Sequence, residues 1–168
     1  MATNKSHTSD ELRVKLVPLL ASEGLKLDDV RGVALASVVP ALTMAWCAAA
    51  YRMIGKDALV CSAETAGSLF EADYPNPHEI GADRVADAVA AKALYGAPVI
   101  VVDFGTATNM EVVDADGRFI GGVIAPGVET SASALFSHAT KLGAIDLVDP
   151  HTAIGHNTEE AIQAGIVY

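Results

Sequence analysis

The sequence predicts an α/β protein, with helices laid against mixed sheets, and three observations carry that expectation. Half of the 168 residues are hydrophobic (51%) but only 5% are aromatic, with alanine and valine dominant, a composition suited to helices packed on sheets. Stripes of apolar residues at helical spacing alternate with short β-branched runs. Residues 99–125 then read as three consecutive antiparallel strands. The length suits one ordinary domain or two small ones.

The elements follow in order. In "SHTSDELRVKLVPLLASEG", 6–24, Thr8 and Glu11 stand at capping-box spacing, and Leu12, Leu16, Leu19 and Leu20 make a helical stripe with Pro18 placed to kink it. "GVALASVVP", 32–40, reads as a strand buried on both faces and stopped by Pro40. Residues 41–54 read as an alanine-rich helix and "ALVCS", 58–62, as a short strand. "YPNPHEIG", 74–81, is loop by its prolines and asparagine. A strong helix is expected over 82–95, with Val85, Ala88 and Val89 on one face and Gly96 closing it. "VIVVDF", "TATNMEVVD" and "RFIGGVIAPG" are the three meander strands, and "DADG", 114–117, is the hairpin turn between the last two. A helix at about 128–141, a strand at about 145–148 and a helix from Asn157, boxed by Glu160, complete the chain. The best division lies between the helix at 82–95 and the strand at 99.

Composition excludes several classes. A formal charge of −10 argues against a nucleic-acid partner. Cys47 and Cys61 show no metal spacing and read as buried thiols in a reducing compartment; the five histidines form no HxH or HxxxH pair. No apolar run approaches the roughly 18 residues of a membrane span, and "MATNKSHTSDEL" lacks the apolar core of a secretory leader. A soluble cytoplasmic protein handling small molecules is expected.

Two short stretches carry chemistry. In "DFGTAT", 103–108, a strand ends in a carboxylate and turns through Gly105 into another strand. Gly105 permits a tight turn and close backbone approach, successive N–H groups of such a turn can cradle an anion, and the Thr106 and Thr108 hydroxyls add donors. Asp103 is placed to hold a cation. A P-loop leads from strand to helix, so it does not fit. A protein kinase would need catalytic-loop and lysine motifs that are absent. A plain hairpin with a turn glycine remains the alternative. In "GADR", 81–84, Asp83 and Arg84 fall in the first turn of a strong helix, where free N–H groups and the dipole favour an anion. Arg84 offers a fork for a carboxylate, and Asp83 can take a proton from a hydroxyl as a weak base. The alternative is a favourable first-turn acid beside a surface arginine.

The strand–turn–strand phosphate loop resembles the device of the actin, sugar-kinase and chaperone ATPase superfamily, built from two ribonuclease-H-like domains. Tyr74-Pro-Asn-Pro, Gly81-Ala-Asp-Arg84, Asp103-Phe-Gly-Thr-Ala107, Gly121-Gly-Val-Ile-Ala-Pro-Gly127 and Gly155-His-Asn-Thr158 occur in that order, with "SVVPALT" at 37–43. Together they resemble type III pantothenate kinase along nearly the whole chain. The resemblance implies ATP-dependent phosphorylation of pantothenate to 4'-phosphopantothenate, the first step toward coenzyme A. It makes Asp83 the general base. Tyr74, Gly81, Ala82, Asp83, Arg84 and Thr158 become the pantothenate site, Gly105 and Thr106 ATP contacts, and Asp103 the holder of potassium or ammonium. Mg²⁺ would enter with ATP, and the active unit would be a homodimer.

The family opens with an Asp-x-Gly-Asn-Thr strand-turn that has no counterpart here, and it continues past the helix that ends this chain. The resemblance therefore implies two incomplete ribonuclease-H-like domains, 1–97 lacking opening strands and 98–168 lacking its closing half. The strand at 32–39 would then have a bare edge. A fragment or a degenerate paralogue with little turnover of its own is expected, and a non-catalytic binding or regulatory protein is the alternative function.

Overall fold

The computed structural model describes residues 4–139 and 145–168. By contacts the chain divides into two units, residues 1–99 with 113–121, and residues 100–112 with 122–168.

The first unit opens with α1 (Ser9–Ser22), capped as its sequence requires: the Thr8 side chain accepts from the Glu11 N–H, and Glu11 accepts from the Thr8 N–H at 2.8 Å. It packs on α2 (Pro40–Ile54) through Leu12, which is buried, as are Leu42, Ala49 and Ala50 of α2. Asp10 at the start of α1 meets Arg52 of α2 at 2.9 Å and Arg13 at 3.2 Å, and the two guanidinium groups, Arg52 foremost, hold its carboxyl below the usual range.

Between these helices lies the first departure from expectation. The apolar run 32–40 yields only β1 (Ala34–Leu35), paired in parallel with β2 (Leu59–Val60) in the register Ala34↔Leu59. Exposure alternates along 33–40, so the run is not buried on both faces. Ser37 supplies the reason. Its hydroxyl accepts from the Val39 N–H at 3.2 Å, a local bond that competes with a ladder, and Val39 then becomes the N-cap of α2. Cys47 and Cys61 are half-buried rather than buried, neither is in a disulfide, and desolvation pushes the Cys61 thiol up.

The core of this unit forms around α4. After α3 (Ala63–Ala66), a 3-10 turn at Gly67–Leu69, β3 (Glu71–Ala72) and another 3-10 turn at Pro77–Glu79, α4 runs Ala82–Tyr95 with Gly81 as its N-cap. Val85, Ala88 and Ala91 make its buried stripe, and Gly96 ends it at φ 81, a conformation that favours glycine. Phe70, Ile80, Val85 and Ala88 pack with Val113 and Phe119.

β4 (Val99–Phe104), β5 (Ala107–Val113) and β6 (Arg118–Pro126) are hydrogen-bonded neighbours in that order. Their connections of two and four residues permit only antiparallel pairing, so the expected meander forms. β3 extends it in parallel with β6, pairing Glu71↔Arg118 and Ala72↔Phe119. The turn at 114–117 is made by its acid and its glycine. Asp114 accepts from the N–H groups of Asp116 (3.0 Å) and Arg118 (2.8 Å), and Gly117 takes φ 79. Lys92 of α4 donates to the Gly117 carbonyl at 3.2 Å.

In the second unit β6 leads through Gly127 into α5 (Val128–His138). That helix stops short of the expected 141: Ala139 is already extended, and 140 and 141 lie outside the described residues. The strand expected at 145–148 does not form. The Asp146 carbonyl is taken by the Gln163 side-chain amide at 2.8 Å, and Val148 is exposed, so the segment is held by α6 (Thr158–Val167) rather than by a ladder. Asn157 caps α6 as expected, accepting from the Glu160 N–H at 2.9 Å. Asn157→Ala is expected to cost about 1 kcal/mol, read as a lowered urea midpoint at unchanged slope. A shift under about 0.3 kcal/mol would show that α6 does not depend on this cap. Among the described residues no helix is long and apolar enough to cross a membrane.

Candidate active site

The first cluster lies at the start of α4. Gly81, the N-cap, contributes no side chain, so the helix end is open. Asp83 folds back over that end, its Oδ1 accepting from the Arg84 N–H at 2.9 Å. A Cβ on Gly81 would meet this carboxylate oxygen at 2.5 Å and a Val38 methyl at 3.4 Å, so glycine is required there for the carboxylate to lie as it does. Asp83 and Arg84 are both half-buried, an acceptor and a cation side by side in the first turn.

Arg84 is seated on an aromatic ring. Its guanidinium carbon lies 5.3 Å from the centroid of Phe119, a cation–π distance. Tyr74 meets the same ring edge-on at 5.9 Å, and Phe70 packs on it at 5.6 Å. The fully buried Phe119 thus gathers Tyr74 and Arg84, two of the expected pantothenate residues, around one hub. Sequence reasoning missed Phe119. Its only signal was an aromatic at an inward position of a strand, and its partners lie far away in the chain.

The second cluster belongs to the second unit. Asp103 stands exposed one residue before the end of β4, and Gly105 and Thr106, also exposed, form the two-residue turn to β5. Thr108, expected to add a second hydroxyl donor, is buried instead. The turn is held from two directions. The Gly105 N–H donates to the Ala107 carbonyl at 3.0 Å, and the Thr106 carbonyl accepts from the Gly127 N–H at 3.0 Å and from the Thr130 hydroxyl at 2.7 Å. A Cβ on Gly127 would run into the carbonyl oxygens of Gly105 and Thr106, so only glycine lets α5 begin against this turn. Beside it opens a cavity of about 830 Å³, lined by the turn, by Phe104 and by the hydroxyls of Thr130, Ser133 and Ser137 on α5. Thr158 is the first residue of α6 and is exposed. Gly155 lies directly under the first turn of α6, where a Cβ would strike the backbone of Glu160 and Ala161.

Gly127 was picked out only as the end of the 121–127 motif, and Thr130 was not picked out at all. "IAPGVET" gives no hint that the N–H of one and the hydroxyl of the other share a carbonyl twenty residues back. Glu111 of β5, fully buried, was also missed, because an alternating strand places its charged residues outward by default. Among the described residues no three His, Cys, Asp or Glu side chains converge as a metal-binding group.

A family model for type III pantothenate kinase matches residues 1–168. The chain belongs to the type III pantothenate kinase family. Relatives named as type III pantothenate kinases agree. That of Moorella thermoacetica is 41% identical over 168 residues, covering 100% of this chain and 66% of the relative. Those of Thermomicrobium roseum and Bacillus cytotoxicus are 44% and 40% identical, covering 99% and 100% of this chain and 64% of each relative. The chain therefore spans just under two thirds of the length of these curated relatives. The resemblance drawn from the five motifs holds, and the mixed α/β architecture is consistent with the type III pantothenate kinase family.

Proposed function

We propose that this chain carries the pantothenate pocket and part of the ATP grip of a kinase that makes 4'-phosphopantothenate, the first step toward coenzyme A. The observation that carries the reading is the pairing of Asp83 and Arg84 in the first turn of α4, with Gly81 bare beside the carboxylate and Arg84 seated with Tyr74 on Phe119. In the reaction the primary hydroxyl oxygen of pantothenate bonds to the γ-phosphorus of ATP, the bond from that phosphorus to the bridging oxygen breaks, and ADP leaves. Asp83 takes the hydroxyl proton. The loose transition state of phosphoryl transfer asks mainly for a positioned nucleophile, which a weak carboxylate base can supply. Arg84 faces the pantothenate carboxylate or hydroxyls, with Tyr74, Gly81 and Ala82 lining the pocket; a pantothenate contact for Thr158 is proposed from the family motif alone.

Gly105 and Thr106 take the phosphates, beside the cavity on α5. Asp103 fits a monovalent cation: a single exposed carboxylate, outside any acidic cluster among the described residues, suits a weakly held potassium or ammonium ion with water and carbonyl ligands, not a divalent cage. Such an ion supplies positive charge near the transferring phosphates. Mg²⁺ enters with ATP, mostly on phosphate oxygens and water. Two ribonuclease-H-like domains, 1–97 and 98–168, in a cytoplasmic homodimer are proposed from the family resemblance; by contacts, residues 113–121 group with the first unit instead.

Titration calorimetry with pantothenate and with MgATP tests the reading. Saturable heat with pantothenate, lost on Arg84→Ala, is expected; no pantothenate heat at millimolar concentration overturns it. Asp103→Asn is expected to flatten the dependence of ATP affinity on KCl at constant ionic strength, and an unaltered potassium response rejects its cation role.

A further inference from the structure

We infer that Thr130 is a positioning residue for the nucleotide, a latch that fixes the Gly105–Thr106 turn in the form that receives phosphate. This rests on reading that turn as the phosphate grip. The turn is exposed, two residues long and contains glycine, so by itself it has several conformations of similar energy. Two donors from the start of α5 select one. The Gly127 N–H and the Thr130 hydroxyl both reach the Thr106 carbonyl, at 3.0 and 2.7 Å, and together occupy its two lone pairs. Gly127 has no side chain to cap α5, and Thr130 stands three residues further on, in the first turn. The positive end of the helix thus holds a carbonyl dipole of the hairpin.

Peptide planarity turns that contact into a consequence for ligands. The C=O of one residue and the N–H of the next point in opposite directions. The carbonyl of Thr106 is turned to α5, and that of Gly105 lies against Gly127. The N–H groups of Thr106 and Ala107 are therefore turned away from α5 together, as successive donors on the side opposite both carbonyls. That is the arrangement of an anion-binding nest. Ordering the turn in advance also removes an entropic cost that an anion would otherwise meet on binding. Thr130 touches no reacting atom in this scheme; it acts through the turn.

Thr130→Val keeps the shape and removes the hydroxyl, whereas Thr130→Ser keeps the hydroxyl. The 168-residue chain and both variants are titrated with MgATP, adenosine and pantothenate, and amide exchange is followed at Gly105 and Gly127, whose N–H groups are the ones bonded at this turn. For Thr130→Val we expect MgATP affinity to fall about fivefold, the loss of one hydrogen bond, with adenosine and pantothenate affinities unchanged. Thr130→Ser should stay within about twofold of the parent for all three ligands. Exchange at Gly105 and Gly127 should speed up in Thr130→Val while α5 stays protected, which separates a lost latch from a lost fold. Parent-like MgATP affinity in Thr130→Val, an equal loss in Thr130→Ser, or an equal loss for adenosine overturns the positioning role. A parent protein that binds no MgATP overturns the phosphate reading and the nucleotide role with it. The exchange data then still report whether the hydroxyl orders the turn, so the two failures are told apart.

Discussion

Asp83→Asn is expected to lower the turnover of pantothenate phosphorylation by about 10²–10⁴-fold, the usual range for a lost general base, while pantothenate affinity stays within about threefold. The assay is best made in a hybrid chain whose remaining third comes from the Moorella thermoacetica relative, because this chain covers 66% of that relative. The amide has nearly the shape of the carboxylate, and its oxygen can keep the bond from the Arg84 N–H, now 2.9 Å long. It cannot take a proton. The change therefore isolates chemistry from architecture: the first turn of α4, the bare Gly81 and the seat of Arg84 on Phe119 all persist. ADP release measures turnover and calorimetry measures pantothenate. A tenfold or greater loss of pantothenate affinity would make Asp83 a binding group, and unchanged turnover would remove it from the mechanism. Asp83→Ala is the less informative variant, since it also empties the space against Gly81 that the carboxylate fills.

Local signals were read well from the sequence, and long-range ones were not. The boundaries of α4, the Thr8–Glu11 box, the Asn157 cap and the turn at 114–117 each depend on residues within a few positions of one another, and all stand where their chemistry puts them. The strand at 32–40 that shortened to β1 and the strand at 145–148 that did not form share one reason: a side chain intercepted the backbone. Ser37 bonds Val39 and ends β1 early, and Gln163, seventeen positions away, takes the Asp146 carbonyl. Apolar content alone announces neither. The candidate site divides the same way. "GADR" and "DFGT" were legible because the conformations they need are written in their own residues. Phe119 under Arg84, and Thr130 against Thr106, were not, because each contact joins segments more than twenty residues apart. Resemblance named the first set of residues; only the folded chain shows what holds them in place.

Phe119→Ala is expected to destabilise the protein by about 3–5 kcal/mol, the cost of truncating a buried aromatic side chain. Phe119 is 1% exposed and sits within the cluster of Phe70, Ile80, Val85, Ala88 and Val113. Its ring is contacted on several sides at once, by Phe70, by the edge of Tyr74 and by the Arg84 guanidinium, so the space it leaves cannot close by one neighbour moving in. A domain is stable by only about 5–15 kcal/mol, so the loss should be plain in a urea titration. Because such a loss can unfold the chain outright, Phe119→Leu is the sharper variant. Leucine fills much of the volume, and its stability cost should stay nearer 1–2 kcal/mol. It offers no ring face to a cation and no edge-to-face partner to Tyr74, interactions worth about 0.5–1 kcal/mol each. Phe119→Leu should therefore remain folded yet bind pantothenate several-fold more weakly, with MgATP affinity unchanged, if the ring positions Arg84 and Tyr74 for the substrate. A loss below about 1 kcal/mol in Phe119→Ala would show that the ring is not central to this core. Parent-like pantothenate affinity in Phe119→Leu would show that any hydrophobic filler serves, and that the aromatic seat of Arg84 belongs to stability and not to recognition.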